Sequence, residues 1–181
     1  IGPINIKKKK EYKKNTIIEA KKITAAAMLI NTKIFNKIKG YDENFFLYYE
    51  DDDYFKKCNI LNLKLYLVTN SFIIHEKEKK MKKKSLSLHS TTFSNIEEKN
   101  STYLVGGWHG QWSKFYFLKK YKGFINALFI CLPNVIINII QIIPYIFFDI
   151  TKVKYKYYKI EGLVCSMIGL PSFKRSKFDK K

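Results

Sequence analysis

A chain of 181 residues is long enough for one domain with a real core, or one domain and an appendage. Its formal net charge is +19, carried by lysines and the single Arg175, and 16% of its residues are aromatic. Cys58, Cys131 and Cys165 are an odd count, far apart and without CxxC spacing, a pattern that points to reduced thiols in a cytosolic setting rather than to a disulfide framework or a cysteine zinc site. The charge predicts attraction to polyanions, phosphates or anionic lipid. No nucleic-acid recognition motif accompanies it, so nucleic acid is not the expected partner.

Residues 1–22 are polar and lysine-rich, with short β-like pieces at best. The run "ITAAAMLI" (Ile23–Ile30) has the length and composition of a strand. Asn31 is placed to cap a short helix, "TKIFNKI", which Gly40 would end. "YDENFFLYY" reads as a loop or short extended piece, and "DDDYFKKCNILN" as a helix. Its acids occupy the first turn and its lysines follow, the order that the helix dipole favours. "LKLYLVT" (Leu63–Thr69) and "FIIHE" (Phe72–Glu76) read as strands around a turn at Asn70–Ser71. A polylysine loop (77–84) follows, and residues 85–100 read as a polar linker.

From Ser101 the pattern is helical, with Leu104, Trp108, Trp112, Phe115 and Leu118 on one stripe, although Gly106–Gly107 interrupts it. Residues 123–148 carry no charge and are flanked by Lys119, Lys120 and Lys122 on one side and Lys152, Lys154 and Lys156 on the other. The length would span a bilayer. Two prolines and the polar Asn126, Asn134, Asn138 and Gln141 argue against a simple span. Three readings stay open: helices lying on a membrane surface, a transmembrane helix, and an ordinary buried helical pair.

The four consecutive acids Glu50–Asp53 are the most unusual feature of so basic a chain. On a helical projection Asp51 lies within about 40° of Phe55 and Cys58, on the inward side. Asp52 lines up with Lys56 and Asn59 towards water, and Glu50 and Asp53 fall at the boundary. An inward carboxylate at a helix N-terminus is how a general base would be presented. The plainer reading is a capping cluster, with Asp52 and Lys56 as an i,i+4 pair. His75 would end a strand, as a polar terminator or as a metal ligand.

Taken together, Ala25–Ala27, the Gly40-Tyr41-Asp42-Glu43 run, Phe45-Phe46, Glu50–Asp53 and Ile73-Ile74-His75 resemble, in order, the C-terminal part of family 2 glycosyltransferases. The nearest likeness is to the bacterial rhamnosyltransferase-like branch with a GT-A fold. The match covers about residues 23–76, and "HGQWSKFYFLKKYKG" (His109–Gly123) is similar, less specifically, to the aromatic–basic helix that follows in the family.

The resemblance implies an α/β fold: residues 1–84 as the C-terminal part of a GT-A catalytic domain, 85–100 as a linker, and 101–181 as a helical, membrane-associating region. It implies inverting sugar transfer from a nucleotide-sugar to a hydroxyl of a glycan, lipid-linked in the leading reading, at the cytoplasmic face of the bacterial cytoplasmic membrane. Asp51 matches the catalytic base. His75 matches a ligand of the divalent metal, Mg or Mn. Glu50 and Asp53 would orient the acceptor or support the helix start, and Ala26 would leave room for the acceptor. "FFLYYEDDD" also looks like a strand ending in the family's D-x-D motif, but the G-Y-D-E prefix and the downstream His75 belong to the base motif. Residues 1–22 offer no place for the donor-binding half, so a larger enzyme is expected, with an incomplete metal site in this chain. The alternative is a non-enzymatic basic membrane- or nucleic-acid-binding protein, and a degenerate gene product is a third.

Overall fold

A computed structural model describes residues 16–23, 27–71 and 91–175, with 91–100 as helical backbone. The described residues are mostly helical, with one two-stranded sheet. They fall into two compact units: one within Ile1–Gly40 and Phe55–Lys84, the other Tyr41–Tyr54 with Ser85–Lys181.

In the first unit β1 (Ile17–Ala20) pairs antiparallel with β2 (Leu65–Val68), Ile17 opposite Val68 and Ala20 opposite Leu65. Thr16 and Thr69 close one end, where the Thr69 hydroxyl donates to the Thr16 carbonyl at 2.9 Å. The helix α1 (Thr32–Lys37) is capped by Asn31, whose Oδ1 accepts from the Lys33 and Ile34 amides at 3.0 and 3.3 Å. It ends with Lys39 and Gly40 in the left-handed region, at φ 59° and 57°. A Cβ on Gly40 would also meet the Phe35 ring at 2.8 Å, so glycine is needed there twice over. Residues 27–30 form no strand, and Leu29 is fully exposed. The strand expected over Ile23–Ile30 is therefore absent from its described part; the ladder is made by β1 instead. Phe72–Glu76 lie outside the described residues.

The helix α2 (Glu50–Ile60) begins in the second unit and ends in the first. Phe55 and Cys58 are buried, as the projection requires. The second unit is built on α3 (Thr91–Lys122), α4 (Phe124–Phe148) and α5 (Ile150–Met167). The helix α3 begins at Thr91, inside the stretch expected as a linker over 85–100. Residues 41–54, expected with the N-terminal part, belong with the helices.

The expected stripe on α3 forms the core. Trp108, Trp112 and Cys165 pack with Tyr116 and Tyr158. Phe115, Ala127, Cys131 and Leu163 form a second cluster where the three helices meet. The glycine pair that interrupts the pattern is a packing requirement: a Cβ on Gly107 would lie 2.4 Å from the Tyr155 ring. On α5, a Cβ on Gly162 would lie 2.2 Å from the Trp108 carbonyl oxygen, so α3 and α5 approach backbone to side of helix. After α5 the chain folds back along α3. The Trp112 indole donates to the Leu170 carbonyl at 2.9 Å. Buried His109 donates from Nε2 to the Lys174 carbonyl at 2.7 Å, which leaves Nδ1 to accept from the Ser172 hydroxyl at 3.3 Å. Burial holds its pKa below the ordinary value.

α4 is one continuous helix through Pro133 and Pro144. Ala127, Cys131 and Asn138 are buried, and Gln141 accepts from Lys156 of α5 at 2.6 Å. The opposite face is apolar and exposed, with Ile125, Phe129, Ile136, Ile140, Ile143 and Phe147 on it. Asn134, Asn138 and Gln141 lie on the protein side, Asn126 is exposed, and most of the isoleucines face outward. Among the described residues nothing covers this outer face.

Candidate active site: the acidic start of helix α2

The loop before α2 is ordered by its own turn chemistry. Asp42 Oδ1 accepts from the Asn44 amide at 3.0 Å and from its side-chain Nδ2 at 2.7 Å, an Asx-turn. Phe45 is buried edge-on against Tyr116, with ring centroids 5.0 Å apart. The Ser113 hydroxyl donates to the Leu47 carbonyl at 2.8 Å. Tyr48 and Tyr49 then adopt φ 67° and 69°, a strained conformation for bulky side chains. Packing against α3 supports it: Gly106 and Gly110 lie against the Tyr48 ring, and Tyr49 packs on Phe117 at 5.4 Å. The two left-handed residues turn the chain into α2, whose first turn closes with Asp53 N–H donating to the Tyr49 carbonyl at 2.8 Å.

The four acids differ in environment. Asp53 is fully buried. Its Oδ1 accepts from Lys120 Nζ at 2.6 Å and from the Tyr121 hydroxyl at 2.8 Å. The same ammonium donates to Asp42 Oδ2 at 2.7 Å, and the Tyr116 hydroxyl reaches that oxygen at 3.2 Å. One lysine thus bridges two carboxylates. Burial alone would raise the Asp42 pKa, but the Lys120 and Asn44 hydrogen bonds outweigh it and hold the group at about 2. Burial depresses Lys120, yet its two carboxylate partners leave its pKa above the ordinary value. Burial and the Asp53 carboxylate push the Tyr121 hydroxyl upward, so it stays a donor.

Glu50, Asp51 and Asp52 are partly exposed. Burial raises the Glu50 pKa, and the Asp51 and Asp52 charges raise it further. Burial raises the Tyr41 pKa too, helped by the charges of Asp51 and Glu50 and a hydrogen bond to Asp51. Asp51 therefore stands at the N-terminus of α2, half-open, with a phenol at its side.

The projection put Asp53 at the boundary, but it is the fully buried acid. The cause is the C-terminal part of α3, which covers that flank of the helix and supplies Lys120 and Tyr121. The sequence assigns Tyr116, Lys120, Tyr121 and Asp42 no part in the site: Lys120 stands there only as a flanking cation of 123–148, and Asp42 only within the Gly40–Glu43 run. Their signal was the spacing in "FYFLKKYK", where Tyr116 and Lys120 stand four apart on one helix face. Ala26 and His75 lie outside the described residues, and Ala27 is exposed. Among the described residues no group of three His, Cys, Asp or Glu side chains is disposed to hold a metal. At Asp42 and Asp53 the cation is Lys120. Comparison of the chain with protein-family models, with curated proteins and with solved structures found no match.

Proposed function

We propose that the chain belongs to an inverting glycosyltransferase of the GT-A type, which moves a sugar from a nucleotide-sugar to a hydroxyl of a glycan acceptor. The supporting observation is the division of roles among the acids. Asp42 and Asp53 hold Lys120 and brace the loop, while Asp51 remains partly exposed in the first turn of α2. In this reading the Asp51 carboxylate takes the acceptor hydroxyl proton as that oxygen attacks the anomeric carbon. The bond from that carbon to the diphosphate oxygen breaks, and configuration inverts. Glu50 lines the same edge, and Asp53 supports the helix start. Ala26 as acceptor space and His75 as a ligand of divalent Mg or Mn belong to the proposal through the resemblance alone. A lipid-linked acceptor at the cytoplasmic face of a bacterial membrane suits the exposed apolar face of α4.

In the enzyme that contains this chain, Asp51→Asn should lower transfer by about 10²–10⁴-fold, the usual contribution of a general base, with donor binding unchanged. Transfer at near-parental rate would end the base assignment. The α4 face also favours a second reading, membrane binding without catalysis. That reading holds if no nucleotide-sugar is consumed while vesicle binding persists.

A further inference from the structure

We infer that α4 lies in the plane of a membrane, its outer face sunk among the lipid tails and its lysine fringe among anionic headgroups. This refines the membrane part of the proposed function and does not depend on sugar transfer.

The argument starts from length. Twenty-five residues make a helix of about 37 Å, enough to cross a hydrocarbon core of about 30 Å. Length alone would permit a span, but the neighbours of α4 do not. Its N-terminal half is packed by α3, where Phe115 meets Ala127 and Cys131. The α3 helix carries Lys114 and Lys119 beside that contact. Its C-terminal half is packed by α5, which turns back after Asp149 and sets Lys156 against Gln141. That stretch of α5 bears Lys152, Lys154, Lys156 and Lys159. A spanning α4 would carry these charges into the hydrocarbon, where ionised side chains are strongly disfavoured. No stretch of the helix long enough to cross is free of a charged neighbour.

Lying flat removes the conflict. Ile125, Phe129, Ile136, Ile140, Ile143 and Phe147 face away from the protein. The polar stripe of Asn138 and Gln141 stays on the protein side. Exposed Lys119, Lys122, Lys152 and Lys154 stand at the two ends of the helix. An apolar face bordered by cations is the pattern of a helix held at an anionic interface.

The test uses the full chain and vesicles of phosphatidylcholine with and without a quarter phosphatidylglycerol, at about 0.1 M salt. The chain should float with the anionic vesicles, and Ile136→Lys with Ile140→Lys should weaken binding at least tenfold while helical circular dichroism is kept. Single cysteines at Lys122 and at Lys152, in chains with the outer face intact, should both react with an impermeant maleimide added outside the vesicles. Protection of only one of them means a span and overturns the inference. Flotation unchanged by the double lysine variant also overturns it. So does a lipid-indifferent chain that the variant converts from dimer to monomer, because a second copy then covers the face. Loss of transfer in Asp51→Asn moves none of these readouts.

Discussion

Replacing Lys120 by Met keeps the stem of the side chain and removes only the ammonium. The Asp53 side chain is 0% exposed and lies 2.6 Å from that ammonium, whereas Lys120 itself is 29% exposed. Breaking a buried ion pair from one side costs roughly 3–5 kcal/mol, because the other charge is left without compensation. Here the lysine reaches water, and Tyr121 still donates to Asp53, so the expected loss is about 2–4 kcal/mol. Adding Asp53→Asn removes the stranded charge and should restore at least about 1.5 kcal/mol in a double-mutant cycle. Urea unfolding followed by tryptophan emission reads this well, since Trp108 and Trp112, both on α3, sit in the core. A loss below about 1 kcal/mol, or a coupling near zero, would refute the view that Lys120 braces the acidic loop.

Three further outcomes are expected. Gly162→Ala puts a methyl 2.2 Å from the Trp108 carbonyl and should cost about 3 kcal/mol by the same urea assay. The Asp42 carboxyl is held at about 2, below its unfolded value, so its contribution is complete above about pH 4. That contribution should disappear as pH falls towards 2, and Asp42→Asn should flatten this part of the stability profile. Glu50 has the opposite sign: its raised pKa means that folding disfavours its charged form. Glu50→Gln should therefore match or exceed the parent at pH 7, by less than about 1 kcal/mol since the group is partly solvated, with the gain fading at pH 4.

The parts of the fold that were legible in the sequence are the local ones. Asn31 and Gly40 bound α1 because a cap and a left-handed residue act within one turn. The acids of α2 mark its start because the helix dipole does. Trp108, Trp112 and Phe115 recur at helical spacing and are buried. What the sequence did not show depends on partners far along the chain. The β1–β2 pairing joins Ile17 to Val68, which no local pattern announces. Asp53 is buried by a lysine 67 residues away. Residues 91–100 looked like a linker because they have no apolar stripe. The inner side of α4 was readable in hindsight: Ala127, Cys131, Asn134, Asn138 and Gln141 follow one another at steps of four and three. Asn134, Asn138 and Gln141 thus share one face with the alanine and the cysteine.

The Tyr48–Tyr49 kink has a consequence for the order of assembly. Its supports, Gly106, Gly110 and Phe117, are all on α3, and the Leu47 carbonyl finds its donor 66 residues later, at Ser113. At about 5–20 residues per second, a ribosome needs roughly 3–13 s to supply that donor after Leu47. Throughout that interval nothing from α3 can hold two bulky residues in the left-handed region. The acidic turn is therefore among the last pieces to settle, and it waits for chain that has yet to be made. A nascent chain arrested before Lys120 should leave the acids of α2 present in sequence but unassembled as a site.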